Sequence, residues 1–334
     1  MIRDAARALP FAKGAAAALR KVKRAIPRGP RPVILMYHRI AHDRFDPWGL
    51  AVSPDNFADQ LQWLAANRMV LPLAEFAERH RQGTLPRNAA AITFDDGYRS
   101  NVTAAAPLLE KHGLPATIFL PVELIEQGRP FWWDELQGMV LVSTRKSLRL
   151  GDQEIDLGEK SASDGEWRPF EAPQTARQRA FHRIWAMLRH KPPAELETAM
   201  GELEAQAGGA PWQGPDPPMT PDDVRAIASE RLEFGSHALT HPSLPALGPA
   251  EKATEIKASF ERTRALTGTV PLSFAYPYGD RDDESEELVR QAGFRCACAT
   301  DDRPVDRRSR LFALPRISIA NCKGAELGKA LAGF

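Results

Sequence analysis

Short apolar runs separated by stretches of helical periodicity dominate the first 120 residues. Val33–Tyr37, Ala89–Phe94 and Ala116–Leu120 are mostly apolar and of strand length, as is typical of strands buried on both faces. Between the first two, Ser53 and Pro54 form a helix start signal, a capping hydroxyl followed by a proline. Strands that alternate with helices in this way favour a mostly parallel sheet with crossover helices.

The alternation stops near residue 122 and resumes near residue 221. Residues 122–219 are polar, punctuated by Pro and Gly, and helical only in patches. The later pattern predicts strands at Leu232–Gly235, Leu272–Tyr276, Phe294–Ala299 and Leu311–Ile319, with helices at Pro249–Thr267 and Asp282–Ala292. We therefore predict one α/β barrel over residues 32–334 with a mainly helical insertion at about 122–219.

The N-terminal residues 1–31 are predicted to form a separate basic amphipathic helix. They hold nine Lys or Arg and one acid, Asp4, and their apolar residues recur at helical spacing. One interpretation is a solvated helix packed on its own domain. The other is peripheral contact with an anionic membrane surface, or a basic docking arm.

Composition excludes several classes of protein. The net charge of +1 gives no general field that would attract nucleic acid, and 43% hydrophobic residues suffice for a sizeable core. Cys296, Cys298 and Cys322 are an odd set without framework spacing, which favours free thiols over a disulfide-built secreted domain. Since no secretory signal or membrane-spanning run is recognised, we expect a cytoplasmic protein, with the membrane face as an alternative site.

Polar residues follow several of the predicted strands at their carboxyl ends, where α/β barrels gather their active sites. His38, Asp95 and Asp96 come directly after buried strands, and His237 and His241 follow another. The His-x-x-x-His spacing would place both imidazoles on one turn of a helix, where they can meet at one metal ion.

The residue types suit a hydrolytic metal centre. Two imidazoles and one carboxylate can hold a divalent cation and leave a position for water. Two adjacent carboxylates cannot easily bind the same ion, because neighbouring side chains diverge. One Asp of the pair is therefore predicted to be a ligand and the other a general base.

Three motifs in order resemble those of the polysaccharide deacetylase family, also called the NodB-homology or carbohydrate esterase family 4 enzymes. They are Thr93-Phe94-Asp95-Asp96-Gly97, His237-Ala238-Leu239-Thr240-His241-Pro242 and Phe274-Ala275-Tyr276-Pro277-Tyr278-Gly279. The resemblance implies a distorted (β/α) barrel and hydrolysis of N-acetyl groups on amino-sugar polymers. It implies Asp95 as the base, the Tyr278 N–H as an oxyanion donor, and Asp96, His237 and His241 as metal ligands.

The sequence departs from the family pattern at three points. Ala238 stands where the family often has Ser or Thr, and Ala275 where many members have an arginine that orients the base. Arg316, at another strand end, is our candidate to replace that arginine. No late Leu-x-His motif supplies a general acid. His38 instead resembles the early histidine of the circularly permuted, exopolysaccharide-type members, with a purely structural role at the barrel rim as the alternative.

The predicted substrate is an N-acetylated glycan or glycolipid, with no nucleic acid as partner. Trp132 and Trp133 are either a sugar-stacking lip or a cluster that anchors the insertion. Tyr276 and Pro277 are further predicted substrate contacts. The expected cofactor is one divalent metal ion, zinc, with iron, cobalt or nickel as alternatives. Two other functions stay open, namely an amidase for a small non-sugar amide and a carbohydrate-binding protein whose centre has decayed.

Overall fold

The computed structural model describes residues 29–207, 216–229 and 231–334. The basic helix predicted for residues 1–31 lies outside these ranges except for its last three residues. No helix within them is long and apolar enough to cross a membrane.

A parallel, curled sheet forms the centre of the molecule. The strands of the chain are β1 (Val33–Tyr37), β2 (Arg39–Ile40), β3 (Ala51–Val52), β4 (Met69–Val70), β5 (Ala89–Phe94), β6 (Ala116–Leu120), β7 (Ser147–Leu150), β8 (Gln153–Asp156), β9 (Leu232–Ser236), β10 (Ser273–Ala275), β11 (Cys296–Cys298) and β12 (Ile317–Ser318). The main sheet runs β11-β10-β9-β6-β5-β1-β12, and β4 pairs with the start of β5. Leu314, just before β12, bridges Cys298 in parallel, so the two ends of the sheet meet. The distorted barrel predicted from the sequence is confirmed.

Helices cover the outer face of the sheet and build the insertion. They are α1 (Pro54–Asn67), α2 (Leu73–Arg81), α3 (Ala106–His112), α4 (Val122–Gln127), α5 (Trp132–Gln137), α6 (Ala176–Leu188), α7 (Pro193–Ala207), α8 (Pro221–Ile227), α9 (Pro249–Thr267), α10 (Asp283–Ala292) and α11 (Gly324–Ala332). Helix α1 starts where the sequence predicts, since the Ser53 side chain accepts a hydrogen bond from the Asn56 N–H.

The three central strands β1, β5 and β6 are buried at every residue. Burial on both faces explains why their sequences are continuous apolar runs rather than alternating ones. Parallel register aligns their ends: Tyr37 pairs with Phe94, and Phe94 with Ile118. The residues that follow each strand are therefore delivered to one edge of the barrel.

The segment between β6 and β9 builds a second hydrophobic cluster, to which Phe45 and Tyr98 from outside the segment also belong. Phe131, Trp133, Trp167, Phe181 and Trp185 belong to it, together with aliphatic residues of α5–α7. It also contains an antiparallel hairpin, β7–β8, which the sequence pattern did not predict. The hairpin strands have four residues each and bury only one face, so they lack the apolar run that marks the barrel strands.

The last barrel strand is shorter than expected. The sequence predicted a strand over Leu311–Ile319, but only Ile317–Ser318 is regular, with Leu314 as an isolated bridge. Pro315 interrupts the segment because proline has no N–H to donate to a ladder. The two strand cysteines, Cys296 and Cys298, are free and buried, as predicted.

Candidate metal centre and active-site pocket

The carboxyl ends of the barrel strands open into one pocket that contains most of the predicted site. Its lining residues are His38, Trp48, Leu50, Asp95, Asp96, Trp133, Trp185, His237, His241, Tyr278 and Thr300. The two aspartates follow β5, His38 follows β1 and His237 follows β9. The pocket therefore brings together predicted residues that are up to 240 positions apart in the chain, His38 to Tyr278.

Asp96, His237 and His241 form a compact, buried group. Their candidate ligand atoms all lie within 4.8 Å of one another. Asp96 Oδ1 is 3.6 Å from His237 Nε2 and 3.3 Å from His241 Nε2. The separations and the His₂Asp donor set match a four-coordinate divalent metal site that keeps one open position.

The electrostatics of this group also suit a cation. Burial lowers the pKa of both imidazoles, so they are neutral and able to act as ligands. Burial also raises the pKa of Asp96, and the nearby carboxylates of Asp95 and Asp134 raise it further, so a cation there would be stabilising. The His237 Nδ1–H donates to the Ala275 carbonyl at 2.7 Å, which turns Nε2 toward Asp96. The three residues fit a metal ion.

The two histidines do not lie on a helical turn, contrary to the prediction. Residues 237–241 form a loop after β9, and Ala238 and His241 have positive φ values of 64° and 61°. The Glu255 carboxylate shapes this loop by accepting hydrogen bonds from the Leu239 N–H at 2.8 Å and the Thr240 N–H at 3.1 Å. No sequence signal connects Glu255, on α9, to the histidine motif.

Asp95 is bound by Arg316 rather than by the metal group. Arg316 Nη1 and Nη2 donate to Asp95 Oδ1 and Oδ2 at 2.6 and 2.7 Å, and Arg316 is fully buried. Burial alone would raise the pKa of the Asp95 carboxyl, but the guanidinium holds that pKa well below its ordinary value. Arg316 thus supplies the contact that Ala275, itself fully buried, cannot make.

His38 faces the same carboxylate from β1. Its Nε2 lies 4.0 Å from Asp95 Oδ2, and its side chain is only 13% exposed. Burial lowers the pKa of His38 to about 4, even though Asp95 opposes that shift. The Asn101 side-chain amide donates to the His38 carbonyl at 2.7 Å, which ties the strand end to the helical segment after β5. His38 is therefore neutral near pH 7, and its Nε2 lies close to Asp95 but beyond direct hydrogen-bond distance.

Tyr278 occupies a strained position on the pocket wall. Its φ of 58° and ψ of 1° place a non-glycine residue in the left-handed region, and Gly279 follows with φ 74°. A Cβ at Gly279 would lie 2.0 Å from Thr300 Oγ1, so no larger residue fits there. The Tyr278 ring lies edge-on to the His241 ring, 4.5 Å between centroids. Such strain is typical of functional sites.

Two of the predicted substrate contacts, Tyr276 and Pro277, do not reach the pocket. Tyr276 is fully buried, and its hydroxyl donates to the Phe312 carbonyl at 3.0 Å. Pro277 is also buried, and neither residue lines the pocket. Side chains alternate along a strand, so Tyr276 at the end of β10 points into the core rather than toward the substrate.

The two tryptophans of the insertion have different environments. Trp133 lines the pocket, with its ring 4.9 Å from that of His241. Trp132 is buried beside it and its indole N–H donates to the Tyr278 hydroxyl at 3.2 Å. Both belong to the hydrophobic core of the insertion. The sugar-stacking lip and the cluster that anchors the insertion, treated as alternatives above, are formed by the same residues. Of the two tryptophans, only Trp133 faces the pocket.

A buried ionic network lies behind Trp133. The Trp133 indole N–H donates to the Tyr98 hydroxyl at 2.8 Å, and that hydroxyl donates to Asp134 Oδ2 at 3.2 Å. Arg39 lies 3.7 Å from Asp134 and 3.0 Å from Asp43. Burial raises the pKa of Asp134 to about 6 despite the Arg39 charge. This network connects the barrel to the insertion and sets the orientation of the Trp133 ring.

Sequence reasoning missed four pocket residues, Trp48, Leu50, Trp185 and Thr300. Trp185 repeats with Phe181 and Leu188 at helical spacing on α6, a pattern typical of an ordinary core face. Trp48 lies in the loop between β2 and β3, and its ring is 4.4 Å from that of Trp185. No motif marks either residue, because their proximity arises only when the insertion packs on that loop.

Comparison with known proteins relates the chain to one family. A model of the family described as polysaccharide deacetylase matches residues 82–142 and 199–297, and the gap falls inside the insertion. Over these residues the chain is similar to that family. A curated relative is the poly-β-1,6-N-acetyl-D-glucosamine N-deacetylase of Escherichia coli strain K12, 23% identical over 291 residues. The corresponding protein of Staphylococcus aureus strain MRSA252 is 22% identical over 288 residues.

The share of each chain that is covered differs among these relatives. The match takes in 86% of this chain but 36% of the E. coli protein, so the chain spans about a third of that relative's length. It takes in 85% of this chain and 73% of the S. aureus protein. Among solved structures, the Streptococcus pyogenes deacetylase PplD in complex with acetate has a TM-score of 0.60 at 18% identity, with 92% and 99% of the two chains covered. IcaB from Ammonifex degensii has a TM-score of 0.58 at 17% identity, with 91% and 98% covered. These structures share the fold.

Proposed function

We propose that this protein is a metal-dependent N-deacetylase that hydrolyses the N-acetyl group of an amino sugar in a polysaccharide or glycan precursor. One observation carries the proposal. A candidate base held by Arg316, a neutral histidine and a His₂Asp metal group share one pocket with aromatic walls. An unactivated amide needs an activated water, a stabilised oxyanion and a proton for the leaving amine, and the pocket has a candidate for each.

Asp96, His237 and His241 would hold the metal ion, and zinc is our proposed ion. A divalent metal bound there would polarise the acetyl carbonyl and lower the pKa of a water molecule. The three side chains contribute neutral imidazoles and one carboxylate in a buried setting, where the electrostatic effect of a cation is strongest.

Asp95 acts as the general base. The Arg316 guanidinium occupies both of its oxygens and keeps the carboxyl ionised, so the group is fixed in orientation and ready to accept a proton from the attacking water. Because Arg316 is fully buried and also donates to the Ala299 carbonyl at 3.0 Å, the pair cannot rotate freely. The base is thus held rigidly beside the metal group.

His38 delivers the proton to the leaving nitrogen. It is neutral before the reaction, because burial lowers its pKa to about 4. His38 Nε2 and Asp95 Oδ2 are 4.0 Å apart, so the proton that Asp95 takes from water passes to His38 through a bridging water or after a small approach of the two side chains, and from there to the amine as the C–N bond breaks. One water is consumed, acetate and a free amino sugar are formed, and both side chains return to their starting protonation states.

The strained turn at Tyr278 stabilises the oxyanion that forms during the reaction. Its backbone N–H is the proposed donor to the carbonyl oxygen as negative charge develops there. The left-handed conformation of Tyr278 and the close contact of Gly279 with Thr300 fix the direction of this peptide group. A donor fixed in advance needs no reorganisation during the reaction, which is the source of such stabilisation.

The aromatic walls support a sugar substrate. Trp48, Trp133 and Trp185 present indole surfaces to the pocket, and apolar ring faces stack well on the C–H faces of pyranose rings. The relatives named as poly-β-1,6-N-acetyl-D-glucosamine N-deacetylases make that polymer the first substrate to test.

The deciding experiment measures acetate release from β-1,6-linked N-acetylglucosamine oligomers, other N-acetylhexosamine oligomers, nucleotide sugars and lipid-linked sugars. We expect release that stops on chelation, returns with zinc and is absent in Asp95→Asn. Hydrolysis of small non-sugar amides without action on any N-acetylated sugar would establish the amidase alternative. A purified protein that binds no divalent metal would instead indicate a decayed centre.

A further inference from the structure

Arg189 is a buried arginine that belongs to the insertion but contacts the catalytic wall of the barrel. It follows the last residue of α6 and is 4% exposed. Its guanidinium carbon lies 4.9 Å from the centre of the Tyr278 ring and 5.2 Å from that of Trp185. Both of these rings line the pocket. Arg189 itself does not, so it supports the pocket wall from behind.

One carboxylate oxygen connects Arg189 to two loops of the site. Asp280 Oδ2 accepts from Arg189 Nη2 at 2.6 Å and from Ser243 Oγ at 2.7 Å. Asp280 lies two residues after Tyr278, and Ser243 lies two residues after His241. A single acceptor atom therefore joins the end of α6, the loop of a proposed metal ligand and the turn of the proposed oxyanion donor.

Attachment of the insertion through Arg189 carries a cost in folding free energy. Its Nε and Nη1 are buried and have no hydrogen-bond partner among the described residues. Leaving buried donors unpaired costs free energy, and an apolar side chain of similar length would anchor the helix without that cost. The guanidinium instead provides a defined geometry. Its charge binds the Asp280 carboxylate while its planar face packs on the Tyr278 ring, so both residues are fixed at the same time.

Tyr278 needs such support because its conformation is intrinsically unfavourable. A left-handed φ brings the Cβ of a bulky residue too close to its own backbone and persists only where the surroundings impose it. The insertion holds the side chain at two places, through the Trp132 N–H on the hydroxyl and the Arg189 guanidinium on the ring face. Gly279 against Thr300 constrains the backbone from the barrel side.

We propose that Arg189 is a positioning residue that fixes the Tyr278 turn relative to the His241 loop through Asp280 and Ser243, which makes the insertion a working part of the active site. The proposal rests on the deacetylase function for its effect on catalysis. Its structural half, the coupling of the three segments, stands without that function. The alternative is an anchor that only adds stability.

Arg189→Met distinguishes a positioning residue from a purely stabilising anchor, because it keeps the length and apolar contact of the side chain and removes the charge and the hydrogen-bond donors. Arg183→Met is the matched control, since Arg183 lies on the same helix and its exposed side chain hydrogen-bonds only to Gln153 among the described residues. The first readout is hydrogen–deuterium exchange in the metal-free protein. We expect about tenfold faster exchange in peptides that cover residues 276–282 and 241–245, with the β1, β5 and β6 peptides unchanged.

The second readout is steady-state kinetics of acetate release at saturating zinc. We expect kcat of Arg189→Met to fall about 10- to 100-fold with KM within about twofold, and Arg189→Lys to recover part of the loss. If Arg189→Met does not fold, Asp280→Asn and Ser243→Ala remove parts of the same connection with smaller changes and carry the same expectations.

Unchanged exchange over residues 276–282 in a folded variant would overturn the coupling. Faster exchange there with wild-type kcat would reduce Arg189 to an anchor and overturn its role in catalysis. If the wild-type protein releases no acetate from any substrate, the deacetylase function fails, and the exchange experiment still decides whether the three segments are coupled. The two failures are therefore distinguishable.

Discussion

Arg316 and Asp95 are 221 residues apart in the chain and form a buried bidentate pair, with N–O distances of 2.6 and 2.7 Å. In the proposed mechanism Arg316 orients the base from a different strand end than the motif position, Ala275. Because both groups are buried, the guanidinium keeps the Asp95 carboxylate ionised, and each side chain restricts the rotamer of the other. The relationship gives the first testable consequence of the structure.

Arg316→Lys is expected to lower kcat about 10- to 100-fold while metal binding is retained. Lysine keeps the positive charge but cannot occupy both carboxylate oxygens, so Asp95 loses its fixed orientation. Acetate release and metal content by elemental analysis are the measurements. Arg303→Lys is the control, since Arg303 lies in a neighbouring loop outside the pocket. Wild-type kcat in Arg316→Lys would mean that Asp95 does not need the bidentate contact.

Substitution of the two aspartates is expected to have different effects on the metal content of the protein. Asp96→Asn removes the carboxylate nearest both histidines and should lose bound metal together with activity. Asp95→Asn should retain the metal and lose about 10²- to 10⁴-fold in kcat, because only the base is removed. Metal stoichiometry after dialysis, measured beside acetate release, tests both. The reverse pattern would exchange the two roles.

His38→Ala is expected to lower kcat about 10²- to 10⁴-fold without loss of metal. Its imidazole is the proposed route of the proton to the amine and makes no contact below 4.0 Å with Asp95. His42→Ala, an exposed histidine four residues later, is the control and should behave as wild type. A fully active His38→Ala would leave His38 with a structural role at the barrel rim.

Trp48→Ala is expected to raise KM about tenfold for N-acetylglucosamine oligomers with a smaller change in kcat. The ring is partly exposed at the pocket and packs on Trp185 at 4.4 Å, so its free face can stack on a sugar. A tenfold change corresponds to about 1.4 kcal/mol. Trp48→Phe keeps a ring and should recover most of the affinity. An equal KM for Trp48→Ala and wild type would remove this residue from the substrate site.

Asp134 should make the protein less stable as pH rises. Burial raises its pKa to about 6 in the folded state, above the ordinary 3.8 that it regains on unfolding. Between these values the folded state binds more protons, so its stability falls as pH increases, by at most about 3 kcal/mol from this group. The destabilisation is complete above pH 6 and absent below pH 4.

Asp134→Asn should therefore raise Tm at pH 8 and have little effect at pH 4.5, since an amide oxygen can still accept from the Tyr98 hydroxyl. Thermal unfolding followed by circular dichroism at several pH values measures the difference. Asp283→Asn, at a fully exposed carboxylate, is the control and should leave the pH profile unchanged. A lower Tm for Asp134→Asn at pH 8 would show that the ion pair with Arg39 outweighs the burial of the charge.

The sequence by itself determined the barrel and the residues gathered at its candidate centre. Continuous apolar runs at Val33–Tyr37 and Ala89–Phe94 specify buried parallel strands, because only such strands exclude polar residues from both faces. Polar residues placed directly after the strands must then meet at one edge. Asp95, Asp96 and His237 could be found in this way without knowledge of any contact.

Only the tertiary structure decided what surrounds that centre. Arg316 faces Asp95 because β12 returns beside β1, and Trp48 meets Trp185 because the insertion packs on the loop after β2. The side chain of Tyr276 enters the core, while Tyr278, two residues on, reaches the pocket through a left-handed turn. These relationships depend on packing between segments distant in the chain, and local periodicity carries no information about such packing.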